Sequence, residues 1–283
     1  MTYIEGRDLF RSQLKVFFEI NEIDFYYKMI LNFFFKIEPI TLALEPKTLF
    51  LPAKVKIIKA VLKRLLNEEP LQYILGTTSF RSLELQVTPA VLIPRPETEE
   101  LVEWILEDYK SIEHKHVVID IGTGSGCIAI SLAKDQPFFN VSALDISSKA
   151  LEIAKSNAIE NKTVINFLQA DITVLSSEIF PIDVIVSNPP YIHPREKKEM
   201  KNNVLNNEPH IALFVPEEDP LLFYRRILEY AQKNLLPDGV VYFEINPYFL
   251  TEMKNLIFSI TNYSIEERKD KFGKVRMLRL QSH

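Results

Sequence analysis

Residues 117–132 read VVIDIGTGSGCIAISL. An apolar run is followed by glycines at 122, 124 and 126 and then by apolar residues three and four apart, the pattern of a buried strand, a glycine turn and the opening of a helix. The chain has only seven glycines in 283 residues, so three in one loop mark backbone that must turn tightly or approach a ligand closely. A dinucleotide loop, G-x-G-x-x-G, would need its third glycine at 127, where this chain has Cys127. The spacing therefore argues against NAD.

Downstream, short apolar runs alternate with helical segments. VSALD (141–145) precedes a helix from Ser148 to Glu160; INFLQ (165–169) and IDVIVS (182–187) precede a helix from Leu221 to Leu235; VVYFEI (240–245) precedes another helix. Two further strands follow near 263–268 and 275–280, with no crossover helix between them, so they should pair antiparallel. Strands separated by helices predict a doubly wound α/β sheet that binds ligands at the carboxyl ends of its strands. Upstream, between Arg7 and Asn67, Leu9, Phe10, Leu14, Phe17 and Phe18, then Ile23, Tyr26, Tyr27, Ile30, Leu31 and Phe34, then Val55, Ile58, Val61, Leu62 and Leu65 recur at helical spacing. The reading is a helical bundle over 1–75, punctuated by Pro39, Pro46 and Pro52, and a β-hairpin connector over 76–95. That hairpin is built from the alternating Leu83–Val87 and the run Val91-Leu92-Ile93, and the second domain spans 96–283.

Composition narrows the function class. A net charge of −5 and a 25% charged fraction describe an ordinary globular chain without the basic excess of a nucleic-acid binder. The single Cys127 excludes an internal disulfide, and the N-terminus lacks a signal-type pattern, so a cytoplasmic protein is expected. The apolar stretch 29–35, bracketed by Lys28 and Lys36, is too short to span a bilayer. Cys127 at a helix start could be an activated thiol, but a small buried hydrophobe is the expected role. His193 and His210 have no second His or Cys at ligand spacing, and no metal is expected.

The strand ends carry the candidate chemistry. Asp120 sits beside the glycine loop, Asp145 ends the next strand where a carboxylate can accept both hydroxyls of a ribose, and Asp171-Ile172 follows the third, in reach of an adenine. A strand-end Asp can also be a helix cap, and a glycine turn can be simple packing; it is the ordered set that suits S-adenosylmethionine, a cation with no pyrophosphate. Residues 187–191, SNPPY, close the fourth strand. Pro189-Pro190 cannot continue a central strand and must leave it as a stiff corner. Such a corner can offer the Asn188 side-chain oxygen and a proline-region carbonyl to the two N–H protons of a planar NH2 group, orienting it and supporting the charge that grows on nitrogen. Tyr191 can pack on the planar group, and no general base is required.

VLIPRPETEELVEWI, DIGTGSGCIAISLA, ALDIS, VIVSNPPYI, NEPHIAL and FEI, taken in order with the helical N-terminus, resemble the peptide chain release factor N5-glutamine methyltransferases, the PrmC or HemK family, over residues 7–280. The resemblance implies a seven-stranded, Rossmann-like class I methyltransferase domain behind a small helical domain, whose surplus of Phe and Tyr is expected to pack a core and offer one face to the partner. It implies S-adenosyl-L-methionine as cofactor and, as substrate, the glutamine of the Gly-Gly-Gln loop in class I release factors. It assigns Gly122, Thr123, Gly124, Ser125, Gly126, Asp145, Asp171, Ile172 and Asn188 to the methyl donor and Asn188, Pro189, Pro190 and Tyr191 to the glutamine, with Asn188, Pro189 and Tyr191 as the catalytic group. Arg95-Pro96-Glu97-Thr98 favours a release factor over ribosomal protein uL3, whose methyltransferases differ after Pro-Arg. Adenine N6 in DNA presents the same NH2 chemistry, and a silent donor-binding regulator is a further alternative; the acidic total and the intact SNPPY speak against these. Three departures from the family pattern stand out: Phe80-Arg81-Ser82 for Phe-x-Gly, residues 214–221 for a glycine-rich loop, and Asn246 for a glycine, where Asn is expected to tolerate left-handed φ.

Overall fold

The computed structural model describes residues 1–175 and 181–282. By its internal contacts the chain divides into two compact units, Met1–Gly76 with Lys201–Asn207, and Thr77–Met200 with Glu208–His283.

The first unit packs the helices Tyr3–Leu14, Ile20–Phe35, Pro39–Leu44, Pro52–Leu66 and Leu71–Leu75. The Thr2 hydroxyl accepts from the Glu5 N–H while the Glu5 carboxylate accepts from the Thr2 N–H, a reciprocal cap on the first helix. Phe10, Leu14, Ile23, Tyr27, Ile30, Leu31, Ile58 and Leu65 form the core at the helical spacing read from the sequence. Gly6 is needed for close approach, since a Cβ there would overlap the Tyr27 hydroxyl, which donates to the Tyr3 carbonyl at 2.7 Å. The short helix Asn202–Asn207 belongs to this unit too, and Asn207 Nδ2 donates to the Glu68 carbonyl at 3.1 Å.

The second unit begins with a hairpin of β1 (Thr77–Phe80) and β2 (Leu83–Gln86), paired from Thr77 with Gln86 to Phe80 with Leu83. This corrects the expected hairpin. Val91 and Ile93 are buried but lie in a loop, because Pro89 and Pro94 flank a run that the core takes up for its apolar surface. The true first strand is the short, polar TTSF, and its turn uses Arg81 at φ 49.

Among the described residues the main sheet has seven strands: β3 (His116–Ile121), β4 (Phe139–Asp145), β5 (Asn166–Gln169), β6 (Ile182–Ser187), β7 (Leu235–Glu244), β8 (Ser264–Lys269) and β9 (Val275–Gln281), in the order β5-β4-β3-β6-β7-β9-β8. The first five strands in that order run parallel, and β9 pairs antiparallel with both β7 and β8. Ile119, Ile121, Ile185, Val241 and Phe243 face the helices Leu222–Asn234 and Leu250–Ile260, while Val118, Val141, Val184 and Val240 face Pro96–Asp108, Cys127–Asp135 and Ser148–Glu160. Strands buried on both faces read as continuous apolar runs, which is why they were legible. The order reverses on either side of β3, so the crevice between the ends of β3 and β6 is the topological switch point.

Candidate functional site

At that crevice lies a cavity of about 300 Å³. The ends of β3, β4 and β6 deliver Gly122–Ser125, Asp145 and Ser187–Pro190 to its wall; Asp171 and Ile172 complete one end, and Val91, Leu92, Ile211, Ala212 and Phe223 give an apolar side. Of the residues expected to bind donor or substrate, Gly126 and Tyr191 do not line it.

The glycine loop is fixed by its own backbone. Gly122 and Thr123 N–H both donate to the Leu144 carbonyl, at 2.8 and 3.0 Å, and Gly126 N–H donates to the Thr123 carbonyl at 2.8 Å. Gly122, Gly124 and Gly126 adopt φ of 78°, 55° and 83°, where L side chains are strained. Their surroundings differ. A Cβ on Gly122 or Gly124 would meet no protein atom, so the loop leaves room for a ligand to lie against its backbone. A Cβ on Gly126 would come within 3.2 Å of the Ala154 Cβ, so this glycine lets two helices meet behind the loop. Fully buried Asn157 adds a tie that no sequence pattern marked: Nδ2 donates to the carbonyls of Ser125 and Gln86, and Oδ1 accepts from the Gln86 N–H.

Asp145 is a preset acceptor. Its Oδ2 accepts from Gly124 N–H and its Oδ1 from Ser147 N–H, each at 2.9 Å, which leaves lone pairs on both oxygens. Burial pushes its carboxyl above the usual range, against the pull of those N–H groups. Asp171 turns its Oδ1 to Thr173 N–H and hydroxyl, at 2.8 and 2.7 Å. Asp120 stands behind the loop, fully buried, accepting from the Thr123 hydroxyl at 2.6 Å, and desolvation pushes its carboxyl up to about 7. The one cationic side chain on the described cavity wall, Arg95, pairs with buried Glu208 at 2.6 Å, and Glu208 also accepts from the Ile93 N–H at 3.2 Å. Two carboxylates with a neutralised guanidinium suit a cation and give nothing to hold a pyrophosphate. The cavity thus fits S-adenosylmethionine: open glycine backbone, an acceptor pair at Asp145 and an apolar wall.

The SNPPY corner is held by Thr98, which shares the cavity wall with Asn188, and by Glu244. Asn188 Nδ2 donates to Thr98 Oγ1 at 3.1 Å, and Thr98 Oγ1 donates to Glu244 Oε2 at 2.7 Å. Tyr191 Oη donates to Glu244 Oε1 at 3.0 Å, and the Tyr191 carbonyl accepts from Asn246 Nδ2 at 3.1 Å. The Tyr191 ring is therefore turned away from the cavity, toward Glu244. No described group donates to the carbonyls of Pro189 or Pro190. Burial pushes the Glu244 carboxyl up, while the Thr98 and Tyr191 hydroxyls and the nearby Arg276 hold it down. Asn246 has φ −76, not the left-handed value expected, and caps the turn Pro247–Phe249 by accepting from the Tyr248 N–H.

The remaining candidates take structural roles. The Cys127 thiol lies on the cavity wall, and burial pushes it up to about 12, so it stays protonated and behaves as the small hydrophobe expected. His193 caps the turn Pro194–Glu199, accepting from Arg195 N–H, and the His210 ring meets Phe214 edge-on. Pro96 starts the helix Pro96–Asp108 with Glu97 and Glu99 in its first turn.

Residues 98–213 match the family model of the methyltransferase small domain, and residues 10–76 match that of the PrmC N-terminal domain. The release factor glutamine methyltransferase of Flavobacterium psychrophilum is 43% identical over 276 residues, 97% of each chain. That of Bacteroides thetaiotaomicron is 45% identical over 226 residues, 80% of each chain. Among solved structures, a Thermus thermophilus 16S rRNA methyltransferase in complex with AdoMet and guanosine shares the fold, with a TM-score of 0.55 at 17% identity over 73% of this chain and 50% of its own.

Proposed function

Because the chain belongs to the release factor glutamine methyltransferase family, we propose that it methylates the side-chain amide nitrogen of the glutamine in the Gly-Gly-Gln loop of class I peptide chain release factors. S-adenosylmethionine, when bound, supplies an electrophilic methyl group on a cationic sulfur. Gly122, Thr123, Gly124 and Ser125 hold its amino-acid and ribose parts, Asp145 accepts from the ribose hydroxyls, and Asp171 and Ile172 take the adenine amine and ring. Gly126 keeps the loop in shape from behind.

The amide nitrogen of a glutamine is a weak nucleophile because its lone pair is conjugated with the carbonyl. Asn188 Oδ1 accepts one of its N–H protons and a carbonyl of Pro189 or Pro190 the other, which orients the nitrogen and supports the charge it gains. Tyr191 acts from the rear, holding the corner through Glu244. The observation that carries this reading is the Asn188 amide: the residue lines the cavity, its Nδ2 is committed to Thr98, and its Oδ1 has no described partner.

The unit of Met1–Gly76 with Lys201–Asn207 serves as the partner-binding domain, and the unit that opens with the β1–β2 hairpin as the methyltransferase. Exposed Val16, Phe17, Ile20 and Phe25 support a docking role for the first. Translation termination as the setting places the protein in the cytoplasm, and no described helix is long and apolar enough to cross a membrane. A nucleic-acid substrate is disfavoured by the net charge of −5 and by the engagement of Arg95 with Glu208.

The test is a pair of reactions with labelled S-adenosylmethionine and a class I release factor carrying either its native loop or a Gln→Ala change in that loop. Label entering only the native loop is expected. Equal label in both, or label going instead to uL3 or duplex DNA, overturns the substrate.

A further inference from the structure

We infer that Thr98 and Glu244 are positioning residues that set the polarity of the Asn188 amide, fixing its oxygen rather than its nitrogen toward the substrate. The inference rests on the reading of Asn188 as the acceptor for the substrate amide. The two ends of a carboxamide have nearly the same size and shape, so packing alone does not choose which one faces the cavity; hydrogen bonds must.

The choice propagates from Glu244. Both of its oxygens are met by hydroxyls, Oε1 by Tyr191 at 3.0 Å and Oε2 by Thr98 at 2.7 Å. The single hydroxyl hydrogen of Thr98 is thereby committed to Glu244, and Thr98 Oγ1 offers Asn188 nothing but lone pairs. Only the NH2 end of Asn188 can approach it, which leaves Oδ1 for the cavity. With the amide reversed, two acceptors would face each other at Thr98 and two donors would face each other at the substrate. Thr98 and Glu244 are each 1% exposed, so no solvent molecule competes to rescue a wrong orientation. Glu244 grips both ends of the corner at once, Asn188 through Thr98 and Tyr191 directly, although 146 residues separate it from Thr98.

The experiment is a double-mutant cycle in the full chain, using labelled methyl transfer to the release factor, with Thr98→Val, Thr98→Ser, Asn188→Ala and Thr98→Val/Asn188→Ala. Valine keeps the shape of threonine and removes its acceptor. Thr98→Val should lower kcat about 10- to 100-fold, as expected when a buried amide loses its partner, with donor Kd and release-factor KM each within about twofold of wild type. Thr98→Ser, which restores the hydroxyl, should recover most of the rate. In the Asn188→Ala background, Thr98→Val should change kcat less than about twofold, since a residue acting through Asn188 has nothing left to orient. Additive losses, or an unchanged rate in Thr98→Val, would overturn the relay while leaving the substrate assignment intact. Failure of the wild-type chain to label the native glutamine would remove the acceptor reading, and the relay with it. Melting curves of each variant separate these results from unfolding.

Discussion

Replacing Asp145 by Asn should separate donor binding from folding. Each carboxylate oxygen of Asp145 already accepts one backbone N–H at 2.9 Å, from Gly124 and from Ser147. An amide has one oxygen and one NH2, so in either orientation the NH2 meets an N–H that used to donate, and one acceptor for the ribose is gone. A hydrogen bond to a charged group contributes about 1.5–3 kcal/mol. At 1.4 kcal/mol per decade, Asp145→Asn should raise the Kd for S-adenosylmethionine roughly 10- to 150-fold. The free protein should change less, because the lost backbone bond is offset by removing a charge that burial disfavours. Calorimetric titration with S-adenosylmethionine and with S-adenosylhomocysteine measures the effect, and both should weaken alike, since the ribose is common to them. The pH dependence has a definite sign. Burial holds the wild-type carboxyl above its ordinary value, and protonation removes its capacity to accept, so wild-type affinity should fall on acidification toward that of the variant. A Kd within twofold of wild type at neutral pH would refute the assignment of Asp145 to the ribose.

Other outcomes follow from the same loop. Gly126→Ala should destabilise the chain by about 2–3 kcal/mol in urea unfolding, combining the strain of a side chain at φ +83 with crowding against Ala154 at 3.2 Å; an unchanged midpoint would remove the packing role. Asp120 is fully buried with its carboxyl raised to about 7 from 3.8, so the native state holds a proton that the unfolded chain releases. Wild-type stability should therefore fall as pH rises from about 4 to about 7 and level off above, while Asp120→Asn, which keeps an acceptor for Thr123, escapes the decline. The gap between the two should widen across that window by about 4 kcal/mol at most, and a gap independent of pH would contradict the buried-carboxylate argument.

The α/β alternation was legible because the central parallel strands β3, β4 and β6 are buried on both faces and the longer helices show their own period; the helix Ser148–Glu160 and the antiparallel β8 and β9 fall where the spacing put them. The hairpin was misread because Val91-Leu92-Ile93 is as apolar as a strand, yet Val91 and Ile93 bury in a loop, while the true β1 is four mostly polar residues and its turn carries no glycine. The wall of the cavity was legible from Gly122–Ser125, Asp145, Asp171, Ile172 and Asn188–Pro190, which gather at one edge of the sheet. What holds those residues was not. Thr98 with Glu244, and Asn157 with Ser125 and Gln86, are partners separated by 146, 32 and 71 positions, and no local pattern announces such pairs. Tyr191 and Gly126 stand beside the cavity lining rather than on it, because a motif gives proximity and not the direction in which a ring or a missing Cβ points.

The segment Lys201–Asn207 gives the first unit a peculiar timetable. Its helices from Tyr3 to Leu75 leave the ribosome first, but Asn207, which closes on the Glu68 carbonyl, is made 131 residues after Gly76. At roughly 5–20 residues per second the bundle waits on the order of ten seconds for its last piece. A gene cut after codon 76 would therefore separate the bundle from the seven residues Lys201–Asn207 that group with it. For this chain the natural unit of synthesis, and of any attempt to graft or express a part of it, extends through residue 207.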